Sequence, residues 1–165
     1  MSYLSNIDIE EVWSVLHQIE DPELPSLSIT DLGLVRDVEV SAGVIRVGLT
    51  PTYSGCPATD TIAADVNTAL RARWGSRVKV EQLLYPPWTT DWITETGRAK
   101  LEAGGITPPV SRRTSKSKLG NPPEIKCPRC HSAATRLISE FGSTACKSAF
   151  VCESCLEPFE YFKCL

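Results

Sequence analysis

Four cysteines toward the C-terminal end of the chain are spaced to hold one metal ion. Cys127-Pro128-Arg129-Cys130 and Cys152-Glu153-Ser154-Cys155 are two CxxC pairs with 21 residues between them. Two residues between thiolates allow a tight knuckle that aims both sulfurs at one ion, and two knuckles complete a tetrahedron. The spacing slightly exceeds the commonest zinc-ribbon range. Thiolates in a closed tetrahedron favour zinc, and the same geometry accepts iron or an iron–sulfur cluster. Cys146 and Cys164 lie in the same short stretch. They read either as small buried apolar fillers or as residues that join or exchange with the metal site. His131, beside Cys130, reads as a surface residue.

A fifth candidate is Cys56, between Gly55 and Pro57 at the expected start of a helix. Free N–H groups and a partial positive charge at a helix N-terminus stabilise a thiolate. Gly55 leaves the backbone open to close approach, and Thr50, Thr52 and Ser54 add hydroxyls nearby. The competing reading is a buried capping cysteine. No histidine accompanies Cys56, because His17 sits among charged neighbours on the first helix. A Cys-His hydrolase is therefore poorly supported. Asp21-Pro22-Glu23 and Asp31-Leu32-Gly33 place carboxylates in another loop; on their own they read as a helix stop and a turn.

Composition bounds the rest. The net charge of −3 is uneven: residues 1–105 carry −7, 106–126 carry +4, and 127–165 are neutral. An acidic main domain is a poor nucleic-acid binder, since phosphate contacts need Lys and Arg. Met1 to Glu20 is too polar for an export signal, and no apolar run approaches ~18 residues. The expected setting is the cytoplasm, without membrane contact. There seven cysteines point to metal or thiol chemistry rather than disulfides.

The elements that must position these residues follow from periodicity. Ile9, Val12, Trp13, Leu16 and Ile19 have helical spacing, with Asp8 as cap and Glu11 as its capping-box partner. Pro22 bounds that helix, and a polar loop follows to Asp31. Val35–Val40 and Val44–Leu49 alternate around Ser41-Ala42-Gly43 and predict a hairpin. Ile62, Val66, Leu70 and Trp74 predict a second helix with Pro57 in its first turn. Val78 and Val80 mark a third strand. A last helix is expected near Asp91 to Glu102, closed by Gly104-Gly105. The expected fold class is α/β (α+β): a small mixed three-stranded sheet with helices packed on it, plus a ribbon-like β domain. The domain reading is 1–105 for the α/β part, 106–126 for a basic Pro/Ser-rich linker, and 127–165 for the ribbon. The ribbon, under 40 residues, is too small to stay folded on its own core, so metal binding supplies the missing stability.

Three stretches together carry a family resemblance. They are Asp21-Pro22-Glu23-Leu24-Pro25, Ile29-Thr30-Asp31-Leu32-Gly33-Leu34-Val35, and Leu49-Thr50-Pro51-Thr52-Tyr53-Ser54-Gly55-Cys56-Pro57-Ala58. Over nearly all of residues 8–104 the chain resembles the iron–sulfur assembly and maturation factors related to SufT. With the ribbon that ends Glu157-Pro158-Phe159-Glu160-Tyr161-Phe162-Lys163-Cys164, it is similar to accessory proteins of the ring-epoxidising monooxygenases of aerobic phenylacetate breakdown. The resemblance implies a small α/β domain and a non-catalytic maturation role. It implies clients among a di-iron oxygenase and a reductase carrying flavin and a [2Fe–2S] cluster, and contact with the iron–sulfur assembly machinery. The family's loop cysteine falls on Cys56 and its acidic motif on Asp21, Glu23 and Asp31, with Thr52 on the same loop. A transient iron–sulfur cluster or iron at Cys56 follows as an expectation. The alternative is a stoichiometric docking subunit of the monooxygenase. Small domains of this type can also form homodimers through an exposed sheet edge.

Overall fold

The computed structural model describes residues 7–110 and 124–163. The chain divides into two compact units, one ending at Trp88 and one beginning at Thr89. This division falls earlier than position 105, and the reason lies in the second unit's sheet, described below.

The first unit opens with α1 (Ile9–Leu16), whose N-cap Asp8 accepts the Glu10 N–H at 3.0 Å. The helix stops three residues short of Ile19. There Gln18 and Ile19 donate to Val15 and Leu16, a tighter three-residue pattern that closes the last turn. Glu20 can then enter β1 (Glu20–Asp21), which pairs antiparallel with β2 (Leu24–Ser28). The segment expected as loop thus contains a small ladder. Asp21 makes it: its Oδ1 accepts the N–H groups of Glu23 (2.8 Å) and Leu24 (3.1 Å), folding the chain back on itself.

The expected hairpin and crossover are both present. β3 (Val35–Ser41) pairs antiparallel with β4 (Val44–Leu49). Ala42 and Gly43 both have positive φ (49° and 74°), the conformation a two-residue hairpin loop requires. After β4 the chain runs through α2 (Ala58–Trp74) into β5 (Val78–Gln82), which pairs parallel with β4. Strand order is β3-β4-β5, a mixed three-stranded sheet. Ile62, Val66, Leu70 and Trp74 are the buried row of α2, and Ile45, Val47 and Leu49 are buried on β4. Buried Trp88 closes the unit by donating its indole N–H to the Leu32 carbonyl at 2.9 Å.

The second unit begins with a 3-10 turn (Thr90–Trp92) and α3 (Glu95–Ala103), capped by Thr94 and followed by Gly104-Gly105. Next comes β6 (Ile106–Thr107), then β7 (Thr135–Ser139), β8 (Lys147–Cys152) and β9 (Pro158–Phe162). They form one sheet in the order β6-β9-β8-β7, with β6 parallel to β9. Here the 106–126 linker reading is corrected at both ends. Ile106–Thr107 is a strand, the Arg98 guanidinium donates to the Pro109 carbonyl at 2.6 Å, and Ile125 is buried in the ribbon core. That core is Ile125, Cys127, Cys152, Phe159 and Tyr161, with Phe150 packed against it. Residues 111–123, the middle of the expected linker, lie outside the described residues.

Candidate functional site

The two CxxC pairs meet. The four sulfurs of Cys127, Cys130, Cys152 and Cys155 all lie within 4.8 Å of one another. Cys127 and Cys155 are 3.7 Å apart, and Cys130 and Cys152 are 3.5 Å apart. Disulfide sulfurs would be separated by about 2.05 Å. A metal–sulfur bond of about 2.3 Å in a regular tetrahedron sets sulfurs about 3.8 Å apart. The donor set therefore fits a four-coordinate ion.

The knuckles are built alike. The N–H of Cys127 donates to the Ser132 carbonyl, and the N–H of Cys152 donates to the Glu157 carbonyl, each at 3.0 Å. The residue after each second cysteine is left-handed: His131 has φ 59° and Leu156 φ 61°. The paired turns are tied across by Ser132 and Ser154, whose hydroxyls are 2.8 Å apart, and by Arg129, which donates to the Glu157 carboxylate. One cysteine of each pair is buried (Cys127, Cys152) and one exposed (Cys130, Cys155).

Four thiols this close cannot all ionise without a cation. The Cys155 N–H, donated to the sulfur of Cys152, is the main cause that lowers the Cys152 thiol to about 6; the Ser154 N–H and the neighbouring thiols add to it against the effect of burial. Cys155 is pushed up to about 12. The Glu157 N–H favours its thiolate, but burial and the sulfurs of Cys130, Cys152 and Cys127 outweigh it. An ion bound among them removes this conflict by supplying the positive charge.

Cys146 is outside this group. It is buried, with its sulfur 3.0 Å from the Thr144 hydroxyl, and its carbonyl accepts the Lys163 N–H. Cys164 lies outside the described residues. His131 is exposed, its imidazole 3.7 Å from the Glu102 carboxylate.

The other candidate thiol sits where the loop after β4 enters α2. Cys56 directly precedes Pro57, the N-cap of α2, and among the described residues no side chain caps that end. Its N–H donates to the Tyr53 carbonyl, and its own carbonyl accepts the Thr59 N–H. The side chain is half-buried rather than sealed. Gly55 before it has φ 82°, and among the described residues nothing lies within 4 Å of where a Cβ would stand, so they leave the approach to the loop open.

Cys56 lines a small cleft with Asp21, Thr50, Thr52 and Thr59, over an apolar base that includes Leu34, Leu49 and Ile62. The fold thus brings three expected residues together: Cys56, Asp21 and Thr52. Glu23 and Asp31 do not line the cleft. Glu23 contributes its N–H to the Asp21 turn, while Asp31 folds its own turn by accepting the Ser28 N–H at 3.2 Å and donating its N–H to the Ser28 hydroxyl at 3.0 Å. Thr59 was not singled out from the sequence. Its N–H donates to the Cys56 carbonyl at 3.2 Å, a turn across the helix start that brings the two residues together and that no spacing of side-chain types marks in the sequence.

Comparison with known proteins matches this two-part layout. Residues 9–81 match the iron–sulfur cluster assembly protein family, and residues 111–163 match the PaaD zinc beta ribbon domain. The chain is 49% identical over 157 residues to a protein of Escherichia coli (strain K12) named as a subunit of 1,2-phenylacetyl-CoA epoxidase, covering 95% of this chain and 93% of that protein. It is 36% identical over 97 residues to an Fe-S protein maturation auxiliary factor of Porphyromonas gingivalis, covering 58% of this chain and 90% of that one. A solved structure of a conserved hypothetical protein from Thermotoga maritima superposes with a TM-score of 0.51 at 30% identity, covering 61% of this chain and 98% of that one. An assembly-type α/β fold carrying a half-buried loop thiol, followed by a four-cysteine ribbon, accounts for both matches: the chain belongs to the PaaD family of phenylacetyl-CoA epoxidase components.

Proposed function

We propose that this protein is a non-catalytic accessory factor that matures a metal centre of the phenylacetyl-CoA epoxidase system in aerobic phenylacetate breakdown. The observation that carries the reading is the half-exposed Cys56 in a cleft shared with Asp21 and Thr52. One thiolate with a carboxylate and hydroxyls is an incomplete ligand set, and an incomplete set releases what it binds. The closed four-sulfur site suits permanent structure. Zinc is the ion assigned to it, through Cys127, Cys130, Cys152 and Cys155, and its chemistry there is to hold the ribbon folded. The clients are the oxygenase or reductase subunits, reached together with the iron–sulfur assembly machinery in the bacterial cytoplasm. The test is a strain carrying Cys56→Ser and fed phenylacetate. Slow growth with under-metallated oxygenase or reductase is expected; normal growth with both fully loaded overturns the reading.

A second reading is a stoichiometric docking component of the monooxygenase, favoured by the naming of the Escherichia coli relative as part of the epoxidase itself. Co-purification at a fixed ratio with the oxygenase would favour it over transient maturation.

A further inference from the structure

Two buried hydroxyls in the wall of the cleft beside Cys56 have no hydrogen-bond partner among the described residues: the Oγ1 of Thr50, which is 3% exposed, and the Oγ1 of Thr59. Buried hydroxyls are almost always satisfied in native proteins, so two in the wall of one cleft mark a place where something else binds. The remaining polar groups of the wall define what that is. Cys56 supplies a sulfur, and Asp21 supplies a carboxylate fixed by the two backbone N–H groups at its Oδ1. Thiolate, carboxylate and hydroxyl oxygens are all electron-pair donors. The Asp21 carboxylate disfavours an anion, and together with the Cys56 sulfur, once a metal has displaced its proton, it neutralises a divalent cation.

Size narrows the choice further. The cleft is about 20 Å³, room for about one water-sized body. A cluster of several iron and sulfide atoms is held by several thiolates, and among the described residues Cys56 is the one cysteine that lines the cleft. Resting on the maturation reading above, we propose that the cargo of this site is a single divalent transition-metal ion of the ferrous class, not a preformed cluster. Thr50 and Thr59 complete a ligand set begun by Cys56 and Asp21. On binding, the Cys56 sulfur exchanges its proton for the metal, and the proton leaves to solvent.

Cobalt(II) is a suitable probe, because a thiolate ligand gives it a charge-transfer absorption. The full chain, its ribbon already filled with zinc, is titrated with cobalt(II) without oxygen. One cobalt per chain with that absorption is expected, absent in Cys56→Ser. Thr50→Val and Thr59→Val should each weaken binding at least tenfold while retaining wild-type circular dichroism. They should also raise the melting temperature of the protein without added cobalt, since an unsatisfied hydroxyl is gone. Valine variants that bind as wild type overturn the proposal, as does a wild type that gains no cobalt absorption, which leaves a water as the occupant. Iron loading that brings equal acid-labile sulfide to Cys56 also overturns it, in favour of a cluster. The growth test bears on delivery alone: cobalt binding together with a normal Cys56→Ser strain would keep the ion site and remove the maturation role.

Discussion

His131 and Leu156 occupy the same station in the two knuckles of the ribbon, each one residue past the second cysteine and each left-handed, at φ 59° and 61°. Glycine adopts this conformation freely, whereas other residues are strained by ~1–2 kcal/mol. Leu156 is 75% exposed, so its side chain has little packing to lose. Leu156→Gly should therefore stabilise the metal-bound ribbon by about 1 kcal/mol, net of the extra chain entropy glycine brings. Thermal unfolding followed by circular dichroism checks the sign: a lower melting temperature would contradict it.

Metal removal should unfold the ribbon. Among the described residues its apolar cluster is Ile125, Phe159, Tyr161 and Phe150 around two of the cysteines themselves, with Phe162 buried on β9, and cores this small need an added staple. A strong chelator should abolish the amide-exchange protection of β7, β8 and β9 and leave that of β3, β4 and β5 in place. Cys152→Ala should do the same without chelator. Protection retained in β8 after complete metal loss would show that the core suffices.

Lys147 is buried, with its side chain 4% exposed, and is neutralised by Glu160 at 2.9 Å. Burial works against a charged Glu160, but the Ser143 N–H, Lys147 and the Ser143 hydroxyl hold its carboxyl below the usual carboxylate range. Glu160→Gln should cost about 2–3 kcal/mol by weakening charge-assisted hydrogen bonds to a buried ammonium. Because the folded state binds this proton less tightly, the contribution is complete above the ordinary value of 4.5 and fades as pH falls through the lowered one. The stability gap between wild type and Glu160→Gln, measured by urea unfolding, should close in that acid window. A gap constant with pH would contradict the ion pair.

Two substitutions separate the turn that Asp21 builds from the ligand role proposed for it. Asp21→Asn keeps an Oδ1 to accept the Glu23 and Leu24 N–H groups and removes only the charge. It should fold with nearly wild-type stability and lose cobalt affinity at the cleft. Asp21→Ala also removes the acceptor and should lose about 1–2 kcal/mol. Equal stability for the two variants would mean that the turn does not depend on this carboxylate.

What the sequence made legible had local causes. The β3–β4 turn follows from Gly43, the knuckles from two-residue spacing between thiols, and the place of Cys56 from Pro57 and the apolar row of α2. The β1–β2 ladder was hidden because two prolines and a two-residue strand carry no alternation; a single side chain, Asp21, organises it. The role of α3 and β6 was hidden for a different reason. Ile106 pairs with Glu160, more than fifty positions away, and no window of sequence reports such a partner. At the cleft, the thiol and the carboxylate could be anticipated, while Thr59 emerged only once the loop and the first turn of α2 were in place.

The parallel pairing of Ile106–Thr107 with β9 has a practical meaning for anyone who would treat the cysteine-rich end as a detachable module. A fragment cut at 111, where the ribbon family match begins, would bare the hydrogen-bonding groups along one side of β9 and leave behind the helix that packs on the missing strand. Such a piece would invite self-association along that raw border. The part that can be transplanted intact starts near Thr89, so exchanging ribbons between relatives should succeed at that joint and fail at the more obvious one.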